Sequence, residues 1–497
     1  MKRASAIYFP PIALDTRGKQ PLYTQLYDWF RQAILDGRLR PGQRVPSTRS
    51  LAGELGVSRA PVLGAFDQLH AEGYLQTTVG AGTHIAASLP EDRSKLPVAH
   101  ARTRQGRKRA RRLARSTAAL IPHQAEPWFQ QMGAFRVSLP ALDHFPFPIW
   151  SGLLARHSRR PKIDTVAYGD PMGYRPLRET IAEYLGTVRA VRCRPEQIMV
   201  VAGSQHGLQI AARALLDPGD AVWMEDPGYP GARQVLMSTE VEIVPVPVDE
   251  EGLDVKAGVA KRRDARAAYI TPSHQYPLGH TMSATRRMLL LDWAARSGAW
   301  ILEDDYDSEY RFGSRPITSL QGLDADERVI YIGTFSKVLF PALRMGYVVV
   351  PEDLIPAFRA VREAIDIFPP GLVQAALAEF IEEGHFARHI RRMKMLYAER
   401  REALVEAIAE HIGDGLEIVG SEAGMHLVGL LPAGIKDVAV CEAAAAAGIA
   451  AIPLSSCCLR VPRRGGLVLG YAHTNPDQIG EAVQQLAGII HRTSKHR

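Results

Sequence analysis

Lys337 stands in "YIGTFSKVLFPALRMGYVVV", residues 331–350, directly after Thr334, Phe335 and Ser336 and seven residues before Arg344. A short apolar run precedes the lysine and a longer one follows. That pattern fits a reactive amine on a tight turn inside an enzyme-like body. Other segments supply partners for it. "ILEDDYDSEY" is an apolar strand running into Asp304, Asp305 and Tyr306. "VVAGSQHGLQIAARALL" ends a strand and opens a helix at Ser204 and Gln205, where backbone N–H groups and a hydroxyl can hold an anion. "MEDPGYPGAR" leaves Tyr229 in a loop after a strand, free to stack on a ring. These are the parts that pyridoxal 5′-phosphate (PLP) needs: a Schiff-base lysine, an acid at the pyridine nitrogen, phosphate donors and a covering ring. Thr334, Ser336 and Arg344 extend the phosphate donors, and Tyr306 can bond the ring oxygen. Each part alone has an ordinary reading: a solvated lysine, an acidic turn or metal site, a common strand-to-helix turn, a packing tyrosine. Their joint occurrence at strand ends, where α/β ligand sites form, favours the cofactor site.

The elements that must position these residues are strand-like runs alternating with helix-like ones from about residue 134 onward. The runs are "QIMVVAG", "AVWMED", "EIVPVPV", "AAYITPS", "AWILEDD", "VIYIGTF" and "MGYVVVP". This alternation predicts an α/β body with a largely parallel sheet over residues 134–497. Residues 88–133 are punctuated by proline and carry "RTRQGRKRARRLAR"; they are expected to be a basic linker, largely irregular or helical around its arginines. No internal repeat is evident.

Residues 15–87 have a different pattern. "PLYTQLYDWFRQAILDGRLRPG" spaces Leu22, Leu26, Trp29, Phe30, Ala33 and Ile34 as one helix face, and Gly37, Pro41 and Gly42 end it. A helix from about Ser47, its N-cap, to Leu55 stops at Gly56. Ser58 is expected to cap the next helix, with Pro61 in its first turn and Leu63, Phe66 and Leu69 facing inward. "GYLQTTVGAGTHIA" then forms a strand, a turn at Gly80 and Gly82, and a second strand. Helix, turn, helix and wing in this order predict a DNA reader. Arg59, at the start of the second helix of the pair, is aimed at base edges, and Arg44 and Arg49 lie where that pair's first helix crosses phosphates.

Charge is divided the same way. Residues 1–115 hold 20 Lys/Arg against 8 Asp/Glu, within a chain of 497 residues whose net charge is +7. A basic front on an acidic body predicts a polyanionic partner for the front alone. The four cysteines, Cys193, Cys441, Cys457 and Cys458, form no CxxC pair. They argue against structural zinc and for a reducing cytoplasm. The N-terminal stretch lacks a continuous apolar segment, and "AVCEAAAAAGIAAIPL" is too short and too polar to span a bilayer.

"GQRVPSTRSLAGELGVSRAPVLGAFDQLHAEGYLQTTVGAGTHIA" resembles the winged helix-turn-helix of GntR-family bacterial regulators. The resemblance implies DNA contacts at Arg49, Ser58, Arg59 and Gly82. Ala60, Pro61 and His84 depart from the common pattern, which bears on the operator sequence. "YGDPMGYRPLRETIAEYL", "GSQHGL", "DPGYPG", "TPSHQYPLG", "EDDYDSEY" and "GTFSKVLFPALRMGY" resemble fold-type I PLP-dependent aminotransferases across nearly all of 134–497. The two together resemble the MocR-type subfamily. That resemblance implies Lys337 as the Schiff-base residue, Asp304 on the pyridine nitrogen and Tyr306 near the ring oxygen. It implies Tyr229 over the ring, with Ser204, Gln205, Thr334, Ser336 and Arg344 around the phosphate. Tyr168 would reach a phosphate across the interface of a head-to-tail, domain-swapped homodimer.

Two departures bear on activity. Tyr276 stands where aminotransferases commonly have the asparagine that bonds the ring oxygen. Val468, in "GLVLGYA", stands where they have the arginine that clamps a substrate carboxylate; Arg460, Arg463 and Arg464 lie nearby in sequence. The expected function is a PLP-binding regulator that binds a double-stranded DNA operator and responds to an amine-bearing effector or to PLP itself. The alternative is an aminotransferase with an autoregulatory or vestigial DNA-binding domain. Missing the clamp, the chain is expected to perform weak or half transamination at most.

Overall fold

The computed structural model describes residues 10–16, 18–78, 82–89, 112–123, 130–312 and 317–495. The expected wing-turn glycine Gly80 and the linker arginines up to Arg111 lie outside the described residues. The chain divides into two compact units, Met1–Arg111 and Arg112–Arg497.

In the first unit α1 (Leu22–Leu35) packs against α3 (Arg59–Ala71), and α2 (Thr48–Leu55) lies between them in sequence. Ser47 caps α2 by accepting from the Ser50 amide at 3.1 Å, and Gly56 ends it in the left-handed conformation. Ser58 occupies the N-cap position of α3 but makes no capping hydrogen bond with its side chain. The buried face of α3 is Val62, Ala65, Phe66 and Leu69, with Phe66 edge-on to Phe30 at 5.2 Å. Leu63 is a correction to the expected face: it is 43% exposed. The short residues Val62 and Ala65 let α1 approach closely, so packing selects the neighbouring stripe. Strands β1 (Leu75–Thr78) and β2 (Gly82–Ile85) pair antiparallel as the wing.

In the second unit α4 (Arg115–Leu120), within the stretch expected to be linker, packs on a helix of the body described below. All seven apolar runs form strands of one eight-stranded sheet. They are β3 (Ile198–Val201), β4 (Ala221–Asp226), β5 (Glu242–Asp249), β7 (Ala267–Ile270), β8 (Trp300–Asp305), β9 (Val329–Thr334) and β10 (Gly346–Val349). The short β6 (Gly252–Leu253) completes the order β3-β10-β9-β8-β7-β4-β5-β6. Strands β9, β8, β7, β4 and β5 run parallel, and β10 is antiparallel to both β9 and β3. The C-terminal ends of β3, β4, β7, β8 and β9 therefore share one edge, the place where parallel sheets present ligand-binding loops. These strands are buried on both faces, which explains their continuous apolar runs.

Two helices start at that edge: α5 (Ser204–Leu215) after β3 and α6 (Pro230–Ser238) after β4, the latter being the helix that receives α4. A second, antiparallel sheet near the C-terminus has the order β11 (Glu417–Val419), β12 (His426–Leu430), β14 (Gly466–Gly470), β13 (Ile452–Pro453). Helices His385–His411 and Pro476–Lys495 pack together over a shared core that includes Leu427 and Leu469 of this sheet. Among the described residues, no helix is long and apolar enough to cross a membrane.

Candidate functional site

One cavity is lined by Ser138, Ser204, Tyr229, Tyr269, Thr271, Tyr276, Asp304, Tyr306 and Lys337. Six of the sequence-predicted site residues thus meet there: Lys337, Asp304, Tyr306, Tyr229, Ser204 and Tyr276. Their convergence follows from the topology. Ser204 follows β3, Tyr229 follows β4, Tyr276 follows β7, Asp304 and Tyr306 end β8, and Lys337 follows β9.

The three consecutive acids of β8 go different ways, as side-chain alternation requires. Glu303 accepts from the Leu320 and Gln321 amides, and Asp305 from Arg189 and the Tyr331 hydroxyl. Asp304 alone lines the cavity. Tyr269 on neighbouring β7 donates to Asp304 Oδ2 at 2.8 Å, whereas Oδ1 is buried with no partner among the described residues. Burial raises the Asp304 carboxyl to about 7 against the pull of Tyr269. Burial also lowers the Lys337 amine to about 8, while Asp307 and Asp304 pull it upward. Lys337 Nζ lies 3.5 Å from the Ser138 carbonyl.

The start of α5 has the features of an anion site. Gly203 precedes it at φ +90°, and no side chain caps the helix, which leaves N–H groups directed at the loop. The antiparallel pairing of β10 with β9 sets Gly346 opposite Thr334 and so brings Arg344 beside the end of β9. Arg344 donates to the Ala202 carbonyl at 2.8 Å. A Cβ at position 203 would stand 3.4 Å from that guanidinium, an ordinary contact, so it is φ that favours glycine here. Gln205 and Arg344 line an adjoining cavity together with Ala202, His206 and Leu120 of α4. Thr334 Oγ1 accepts from the Ser336 amide at 3.2 Å, and Ser336 Oγ is buried without a partner among the described residues. The buried, unpartnered Ser336 hydroxyl and Asp304 Oδ1 are what a phosphate ester and a protonated pyridine nitrogen would satisfy. The residues present fit PLP.

Tyr168 does not line the cavity of its own chain. It is 87% exposed, edge-on to Phe368 at 5.8 Å. Val468 is fully buried between Val428 and Ile452 in a cluster with Tyr276. Arg460 and Arg463 are exposed, and Arg464 is held by the Leu431 carbonyl and Glu417.

Sequence reasoning missed a polar group behind the tyrosines. Tyr306 Oη lies 2.9 Å from His274 Nδ1, which also faces Asp307 at 3.0 Å, and His426 donates from Nε2 to the Pro277 carbonyl at 3.0 Å. The His274 and Asp307 side chains are each 1% exposed. Gly424, at φ +81°, admits them: a Cβ there would collide with the His274 ring. Glu225 was also missed. It accepts from the Thr271 hydroxyl at 2.6 Å, and Thr271 in turn accepts from the Tyr276 amide at 3.0 Å, fixing the Tyr276 backbone. The one available signal was the polar "SHQ" directly after an apolar strand.

In the first unit Ser58, Arg59, Arg44 and Arg49 are all exposed. Arg59 Nε donates to Thr48 at 3.2 Å, which ties the start of α3 to α2. The Arg44 guanidinium lies over Gly82 of the wing, 3.1 Å from where a Cβ would sit, and Arg44 bridges to His84.

A family model for class I and II aminotransferases matches residues 161–486, and one for bacterial regulatory proteins of the gntR family matches residues 22–85. The chain is 42% identical over 475 residues to the probable rhizopine catabolism regulatory protein MocR of Rhizobium meliloti, covering 96% of this chain and 95% of that one. It is 30% identical to the HTH-type pyridoxine biosynthesis transcriptional regulator PdxR of Corynebacterium glutamicum, covering 97% and 98%. Among solved structures it is similar to LysN, an α-aminoadipate aminotransferase of Thermus thermophilus complexed with N-(5′-phosphopyridoxyl)-L-leucine. The TM-score is 0.69 at 28% identity, covering 77% of this chain and 96% of that one.

Proposed function

Because the chain belongs to the MocR-type branch of the GntR regulators, a winged helix fused to a fold-type I aminotransferase-like body, we propose that it controls transcription by holding PLP at Lys337 and reading an amine, or PLP itself, there. The observation that carries this reading is the pairing of Lys337 with a half-satisfied Asp304 in one cavity. When bound, the cofactor supplies a carbonyl carbon that combines reversibly with amines and a ring that draws electrons when protonated.

The chain's own residues have separable roles in this reading. Lys337 offers its free amine. Asp304 Oδ1 holds a proton at the ring nitrogen. Tyr229 would cover the ring, and Tyr306 and Tyr276 would bond its oxygen. Ser204, Gln205, Thr334, Ser336 and Arg344 hold the phosphate. In a head-to-tail homodimer, Tyr168 of one chain reaches the phosphate bound by the other, which accounts for its exposure in a single chain. Residues 15–87 bind the operator, with Arg59 on bases, Arg44 and Arg49 on phosphates, and Ser58 and Gly82 also in contact with the DNA. Residues 88–133 link them to the effector body, 134–497, and the cytoplasm is the compartment. An effector alters DNA binding only through unequal affinity for two arrangements of the dimer.

The test is a spectral titration of the purified protein with PLP and candidate amines, read beside a DNA footprint. Absence of a visible band, together with a footprint indifferent to PLP and to Lys337→Ala, sinks the proposal. The intact Lys337–Asp304 pair also leaves an aminotransferase reading open. Steady turnover of an amino donor and a keto acid without a specific footprint would favour that alternative.

A further inference from the structure

We propose that His274 and Asp307 are a positioning pair for Tyr306: the Asp307 carboxylate fixes a proton on His274 Nδ1, and this N–H, shared with Tyr306 Oη, leaves the tyrosine's own proton free to be donated into the Lys337 cavity. This rests on the reading of Lys337 as the cofactor-bearing lysine, with Tyr306 on the ring oxygen.

Tyr306 lines the cavity, and the pair stands behind it. Asp307 Oδ1 and Oδ2 lie 3.0 and 3.2 Å from His274 Nδ1, and Tyr306 Oη lies 2.9 Å from the same nitrogen. An ionised carboxylate can only accept a hydrogen bond. A bare Nδ1 would turn its lone pair toward that carboxylate, so Nδ1 carries the ring proton. Tyr306 Oη then accepts at this nitrogen instead of donating to it. Burial, followed by the Asp307 charge, holds the Tyr306 hydroxyl well above its ordinary value, so it keeps the proton it has to offer.

The surrounding charges bear on the same atoms. Burial lowers both Lys337 and Arg311, and Asp307 pulls both upward, on Lys337 more strongly than Asp304 does. Asp304, Glu225 and Tyr276 also face Tyr306. His280 and His426 face His274, and burial keeps His426 neutral, its ring lowered to about 3. Filling space does not account for the pair. Its side chains are each 1% exposed, and His274 Nε2 is buried without a hydrogen-bond partner among the described residues. Such burial costs desolvation that apolar side chains of similar volume would avoid.

The experiment uses full-length protein loaded with PLP and reads the pH midpoint at which the visible band changes. A donor at the ring oxygen stabilises negative charge there and favours loss of the proton on the Lys337 nitrogen. Tyr306→Phe should therefore raise the midpoint by about one to two pH units. His274→Leu should raise it by about as much, and the double variant no further, because the histidine acts only through the tyrosine. His274→Asn, whose amide can place an N–H where Nδ1–H stood, should stay near the parent. If His274→Leu does not fold, His274→Gln, whose amide reaches the place of Nε2 instead, replaces it with the same expectation. A parental midpoint in the Leu or Gln variant overturns the proposal. So does a shift that adds to that of Tyr306→Phe, or one as large in His274→Asn. Failure of the underlying reading looks different: the parent shows no PLP-dependent band, and Lys337→Ala loses none.

Discussion

Tyr269 and Asp304 form the pair that sets up the site: the tyrosine hydroxyl donates to Oδ2 at 2.8 Å and leaves Oδ1 buried and unpaired among the described residues. The register explains the contact. Tyr269 on β7 lies opposite Leu302 on β8, and Asp304 is two residues further along the same face. A half-satisfied carboxylate costs stability in the free protein and is repaid when a protonated nitrogen arrives.

Asp304→Asn should therefore stabilise the cofactor-free protein as it weakens cofactor binding. The folded carboxyl, raised to about 7 from 3.8, holds its proton more tightly than the unfolded chain does. Its contribution to stability is lost as pH rises through that window. The melting-temperature gain of the variant over the parent should grow from about pH 4 to about pH 7 and level off above, and PLP affinity should fall roughly tenfold to a hundredfold, as for loss of a charged hydrogen bond. A gap that stays constant with pH would count against a buried, ionising Asp304.

In the proposed function Lys337 reacts as the free amine, which burial makes available from about pH 8. The rate at which PLP attaches to the cofactor-free protein should climb as pH rises through that value and level off above it. Stopped-flow absorbance measures it. A rate that rises only near the ordinary lysine value of 10.5 would remove the role given to burial.

Ser336→Ala should weaken PLP binding by about 1–3 kcal/mol, the cost of removing one partner of a buried hydrogen bond. Arg344→Ala should weaken it at least as much. Neither variant should alter affinity for pyridoxal, which has no phosphate. Equal losses for both ligands would move these residues out of the phosphate cradle.

Tyr168 can be assigned to its own or the opposite site by mixing chains. Tyr168→Phe and Lys337→Ala chains, each impaired alone, should give heterodimers in which half the sites bind PLP with parental affinity. Parental affinity appearing at no site would mean that Tyr168 serves the chain that carries it, or none.

On DNA, Arg59→Ala should cost about 1–3 kcal/mol and relax the preference at one base pair. Arg49→Ala should weaken all sequences alike and lower the slope of log affinity against log salt by about one. Footprinting across a salt series separates the two.

The sequence by itself determined the strands, the two patterned regions and six of the residues that meet in the Lys337 cavity. Seven apolar runs became seven strands because burial on both faces leaves a local mark that needs no partner to be read. Lys337, Asp304, Ser204 and Tyr229 were legible because each stands at the end of such a run. Leu63 was misjudged because periodicity identifies a stripe, and only α1, packed on α3, selects between adjacent stripes. The assembly of His274, Asp307 and His426 into one group was not legible in the sequence, which offered only the polar "SHQ" around His274. His274 and His426 are 152 residues apart, and only the approach of Gly424 and β12 to the β7 loop brings them together. Asp304 was already legible, but where its neighbours go was decided in three dimensions: Glu303 to the Leu320 amide and Asp305 to Arg189. Local propensity writes elements into a sequence. The pairing of distant side chains depends on how sheets and helices close over one another, and that is set by packing rather than by spacing along the chain.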